Sequence, residues 1–131
     1  MLAIIVRGLK AEAGVGFVTP DGLGQQLGFH RHPAGKVIPP HVHNSIVRNV
    51  SQTVEVLVLR QGKLRIDFYT PAQHYLESRE VEAGDTVLLA SGGHGFEVLE
   101  ELEMVEMKQG PYAGNLDVSR FTPADDQPPS K

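Results

Sequence analysis

The chain has 131 residues, 40% of them hydrophobic, which is enough for one domain with one core and too few for two. A net charge of −4 with singly scattered Lys and Arg gives no basic stripe, so nucleic-acid binding is excluded from the expected functions. The absence of cysteine rules out disulfides and thiolate metal sites, so any metal must sit on His, Asp or Glu.

Turn residues recur along the whole chain and cut it into strand-length apolar stretches. Leu2–Val6 is a first predicted strand. Its five apolar residues before Arg7 are too short for a signal-peptide core, and no apolar run approaches a membrane span. The expected location is cytoplasmic, with no membrane partner. Gly14–Val18 is a second strand, closed by Thr19-Pro20-Asp21-Gly22, and Gln25–His32 a third. After Pro33-Ala34-Gly35, Lys36–His43 is predicted as a bent or edge strand because Pro39-Pro40 removes two backbone donors. Asn44–Gln52 reads as a loop. Thr53–Arg60 and Lys63–Thr70 then form a predicted hairpin about Gln61-Gly62. In its second arm Leu64, Ile66 and Phe68 alternate with Lys63, Arg65 and Asp67, which sets one buried and one wet face.

His74–Val81 is a weaker strand, Ala83-Gly84-Asp85 a turn, and Thr86–Ala90 a short buried strand. The Ser91-Gly92-Gly93 turn leads to His94–Glu100 and Leu102–Lys108. Nothing reads as a helix, and there is no internal repeat. From Thr122 the Pro-rich acidic tail has little to bury and is expected to be disordered. The expected core is Leu57, Leu59, Ile66, Phe68, Val87, Leu89, Phe96 and Met104. Short strands with frequent turns point to an all-β sandwich or barrel, with the domain over residues 1–121.

Four of the six histidines, His30, His32, His41 and His43, fall within fourteen residues. His41 and His43 stand two apart on a predicted strand and so face the same side, which is what a β scaffold must offer a metal. His30 and His32 are read as pocket or surface groups and His74 as a surface residue. Glu106, Lys108, Gln109 and Tyr112 are read as lining a barrel mouth or as solvated, and Arg48 and Arg60 as anion partners or exposed charges.

Gly35, five residues, His41-Val42-His43, then Glu55, six residues, Gly62 resembles the first cupin motif. Gly84, five residues, then Ala90-Ser91-Gly92-Gly93-His94 resembles the second. The spacer between His43 and Glu55 is longer than the family's, His94 comes one position early, and Ala90 and Val98 replace the motif's proline and asparagine. The resemblance implies a double-stranded β-helix, a jelly-roll barrel, with His41, His43, Glu55 and His94 on one divalent ion. Three imidazoles and a carboxylate suit Fe(II), Mn(II), Zn(II) or Ni(II) and leave coordination positions open. It further implies a homodimer and a metal-dependent enzyme, of isomerase, epimerase or dioxygenase type, acting on a small polar metabolite such as a sugar derivative or carboxylate. The alternative is a non-catalytic ligand-binding cupin with a sensor or storage role.

Overall fold

The computed structural model describes residues 1–8 and 12–123. Thr122 and Pro123 are the only described residues of the expected tail; the rest of it lies outside the described residues. In chain order the elements are β1 (Ala3–Val6), β2 (Gly14–Phe17), β3 (Gly28–Arg31), β4 (Glu55–Tyr69), β5 (Tyr75–Glu82), β6 (Thr86–Leu89), β7 (Gly93–Lys108) and a 3-10 turn at Gly114–Leu116. That turn is the only helical element among the described residues, as the frequency of turn residues predicts. No helix among them is long and apolar enough to cross a membrane. The chain forms two compact units, one of Met1–Leu9 with Gln52–Lys131 and one of Lys10–Ser51.

The larger unit is one antiparallel sheet built around β4. One edge of β4 pairs with β7 from Glu55↔Lys108 to Tyr69↔Gly93. Its other edge is shared, with β6 on Glu55–Val58 and β5 on Lys63–Tyr69. β1 extends the sheet through β6, from Ala3↔Leu89 to Val6↔Thr86. The sheet is curled, as a β-barrel requires.

Two sequence expectations are corrected here. Gln61-Gly62 is not a hairpin turn: β4 continues through it as one strand of 15 residues. Likewise the two stretches from His94 to Lys108 are one strand of 16 residues. Gly62 instead sits in a cluster of register shifts between Leu59 and Leu64, with φ 89°. A glycine with positive φ serves a turn and a bulge equally well, and the strand it meets decides which forms. A Cβ on Gly62 would lie 2.0 Å from the Glu101 carbonyl oxygen, so the backbones of β4 and β7 approach more closely there than any other residue allows.

Cross-strand partners share a face, and the ladders define the inner one. Ala3–Leu89–Glu55 and Ile5–Val87–Leu57 form rows at one end of the sheet. Val81–Leu64–Val98, Arg79–Ile66–Phe96 and Glu77–Phe68–His94 form rows at the other. The core occupies this face, with Leu57, Leu59, Leu64, Ile66, Phe68, Val81, Val87 and Leu89 buried and Leu2, Ala3, Ile5, Leu102 and Met104 packed against them. Phe96, expected in the core, is 40% exposed and stacks on His94 instead, with ring centroids 5.3 Å apart.

The outer face is not uniformly wet either. Asp67, expected to be solvated, is buried and accepts hydrogen bonds from Arg65 Nε at 2.8 Å and Ser78 Oγ at 2.6 Å. Those donors replace the water that a buried carboxylate loses. Asp85 is also buried and caps the turn before β6, accepting from the Glu82 and Gly8 amides at 2.9 Å each.

In the smaller unit β2 and β3 form an antiparallel hairpin, from Gly14↔Arg31 to Phe17↔Gly28. The Gln26 side chain ties its loop together: its amide donates to the carbonyls of Pro20 and Leu23, and its oxygen accepts from Thr19 Oγ1. The strand expected at Lys36–His43 is absent; the segment has no regular structure and is exposed. Pro39 and Pro40 cannot donate to a ladder, which leaves too few consecutive donors for a strand. Asn44–Gln52 is likewise irregular, as expected.

Candidate metal centre

Glu55 opens β4, and His94 is the second residue of β7. The ladder places His94 opposite Phe68, so the two site residues belong to opposite ends of the β4–β7 ribbon. Along a straight strand, positions 55 and 68 would be about 40 Å apart at ~3.3 Å per residue. Instead His94 Nε2 lies 3.5 Å from Glu55 Oε2. The ribbon must therefore fold back on itself, and the close approach and register shifts around Gly62 lie midway between its ends. Both side chains project from the inner face, Glu55 in line with Leu57 and His94 beside Phe68. Both are well sheltered, with side chains 16% and 28% exposed.

The hydrogen bond from His94 holds the Glu55 carboxyl below its ordinary range, against the upward push of burial; the His94 charge and Glu106 add to the lowering. Glu106 moves the other way, raised by burial and then by its hydrogen bond and repulsion with Glu55. One proton between the two carboxyls therefore rests on Glu106, leaving Glu55 the better anionic donor. The sequence places Glu106 at a barrel mouth or in solvent, and the residue is exposed. Its parity with Leu102 and Met104, which pack on the core, is the signal that puts it on the inner face.

The remaining candidates fall as follows. His41 and His43 lie in the smaller unit, exposed, with ring centroids 5.3 Å apart and His41 Nδ1 3.0 Å from the Pro39 carbonyl oxygen. They are neighbours without the strand that was expected to align them. His30 and His32 form a second pair in that unit, joined Nδ1 to Nε2 at 3.2 Å. His74 is exposed, as expected, and so are Arg48 and Tyr112. Gln109 accepts from the Val54 amide, Lys108 lies 3.9 Å from Asp117, and Arg60 lies 3.7 Å from Glu103. Among the described residues, neither unit by itself gathers three His, Asp or Glu in an arrangement that would hold a metal ion.

Glu55 and His94 nevertheless fit a shared cation. At metal–ligand bonds near 2.1 Å, two donors on one ion stand roughly 3.0–3.4 Å apart, close to the separation found here. An ionised carboxylate beside an imidazole nitrogen is a hard and borderline donor set suited to a divalent first-row metal. A scan against family models and searches of curated proteins and of solved structures return no match to this chain, so the reading rests on the chain's own residues.

Proposed function

We propose that the chain is a metal-binding barrel of the cupin type, a double-stranded β-helix in which His41, His43, Glu55 and His94 share one divalent ion. The observation that carries this reading is the meeting of Glu55 and His94. The two motif resemblances single out these residues 39 positions apart, and a folded ribbon sets them 3.5 Å from one another. The curled all-β sheet supports the same reading. His41 and His43, whose ring centroids lie 5.3 Å apart, would supply the other two donors. The activity we propose is metal-dependent isomerisation or dioxygen chemistry on a small polar metabolite, for which the ion would supply Lewis acidity or a site for oxygen. Glu106, raised where Glu55 is lowered, would take up a proton ahead of the ligand carboxylate as pH falls.

Metal content and calorimetric titration of EDTA-stripped protein with Mn(II), Ni(II) and Zn(II) test the reading. One equivalent should bind, and His41→Ala, His43→Ala and His94→Ala should each abolish it. Glu55→Gln should weaken binding, and His74→Ala should leave it unchanged. Full binding in both His41→Ala and His43→Ala would overturn the four-residue site. Catalysis further requires an open position on the ion. Inner-sphere relaxation of water protons by bound Mn(II) is expected; its absence would favour a non-catalytic binding role.

A further inference from the structure

The inner face of the larger unit carries a second feature, whose lining includes none of the candidate metal ligands. A cleft of about 360 Å³ is lined by Leu2, Ala3 and Ile5 on one side and by Phe68, Glu77 and Arg79 on the other. This size, with apolar walls and a few polar groups, is that of a small-ligand site. The two charged residues are on a face where their neighbours are core. Glu77 pairs across the ladder with Phe68 and Arg79 with Ile66, both buried. The two side chains are about half exposed, which puts them at the mouth of the cleft.

Their mutual geometry constrains what they can bind. Arg79 donates from Nε at 2.9 Å and from Nη2 at 2.6 Å to the same Glu77 oxygen, Oε2. Oε1 of Glu77 and Nη1 of Arg79 are left to accept from and donate to a further group. The pair carries no net charge, so a lone anion or a lone cation is repelled by one member as it is attracted by the other. A head group with both charges gains from both members, its ammonium on Glu77 and its carboxylate on Arg79.

We propose that this cleft binds a zwitterionic apolar α-amino acid, the head on Glu77 and Arg79 and the side chain against Phe68, Leu2 and Ile5. The site does not depend on the metal reading, since none of its residues is a candidate ligand, and it is measured on metal-stripped protein. L-leucine is the probe, titrated by NMR into the ¹⁵N-labelled full chain. Saturable shifts are expected at Phe68, Glu77 and Arg79. Three analogues each lack one recognised feature: 4-methylpentanoate the ammonium, 3-methylbutylamine the carboxylate, and glycine the apolar body. Each should bind roughly tenfold or more weakly than leucine, the loss expected for one charge-assisted contact or one buried side chain. Arg79→Gln and Glu77→Gln alter exposed side chains, so both should fold with unchanged melting temperature and lose a similar factor for leucine. Three results would overturn the proposal: no saturable shift up to about 10 mM leucine, equal affinity for 4-methylpentanoate, or undiminished leucine binding in Arg79→Gln.

Discussion

Replacing Gly62 by alanine should cost far more than its half-buried, strand-like setting suggests. Two effects add. At φ 89° an L-residue bears about 1–2 kcal/mol of backbone strain. The new Cβ would also lie 2.0 Å from the Glu101 carbonyl oxygen, 2.7 Å from its carbon and 2.9 Å from the Glu100 oxygen. All three are backbone atoms of β7, so no side chain can swing away and the ribbon itself must open. Forced repacking of this kind adds about 1–3 kcal/mol, for a total of about 2–5 kcal/mol. Gly84→Ala is the control. It has φ 93° and nothing within 4 Å of the added carbon, so it should show the strain of about 1–2 kcal/mol alone. Equilibrium urea unfolding of both variants, followed by circular dichroism, separates the two effects provided the slopes agree. The fold of the ribbon should respond as well: the His94 ring resonances should shift in Gly62→Ala and stay put in Gly84→Ala. Equal destabilisation by the two substitutions, with His94 undisturbed, would refute the claim that the Gly62 bulge closes Glu55 onto His94.

Asp67→Ala removes the acceptor that satisfies Arg65 Nε and Ser78 Oγ on a buried site, and should cost about 2–4 kcal/mol by urea denaturation. Arg65 keeps its contact with Glu97 at 2.7 Å, which holds the loss below that of a fully orphaned charge. Asp85→Ala strands the amides of Glu82 and Gly8 and should cost about 2–4 kcal/mol, with Asp85→Asn recovering part of it; thermal melts of the pair check this. In metal-stripped protein, Glu106 and Glu55 should give opposite pH signatures. The raised Glu106 carboxyl stabilises the fold while protonated and ceases to do so as pH rises through its folded value, so Glu106→Gln should be the more stable protein at neutral pH. The lowered Glu55 carboxyl contributes above the ordinary carboxylate range and loses its contribution as pH falls through its folded value. Glu55→Gln should therefore be less stable at neutral pH and approach the parent in acid. Urea midpoints across acid to neutral pH would show both trends.

Much of the sheet was legible residue by residue. Thr86–Ala90 reads as a short buried strand because its run of apolar residues is flanked by Gly-containing turns, and β6 occupies Thr86–Leu89 with every residue buried. Leu57, Leu59, Ile66 and Phe68 alternate at period two and lie on the inner face. The departures have separate causes. Phe96 satisfies the alternation and faces inward, yet it is exposed, because burial depends on what covers a face and not on the strand's own period. Asp67 looks solvated by its charge, yet it is buried, because Arg65 two residues away and Ser78 on the adjacent strand both donate to it. The Lys36–His43 strand fails at Pro39-Pro40, a weakness visible in the sequence, since ladder donors are a local property.

The sequence by itself determined the all-β class, the place of most strands and the alternation that selects the core. Each follows from backbone conformation and side-chain period, which depend on residues a few positions away. Tertiary structure alone decided that Gly62 is a bulge inside one long strand, that the ribbon of β4 and β7 folds over, and that Glu55 meets His94 with Glu106 beside them. It also decided that Glu77 and Arg79 stand over an apolar cleft. These depend on which strand a glycine meets and how far a sheet curls. Both are settled by contacts between residues tens of positions apart, and no local pattern encodes them.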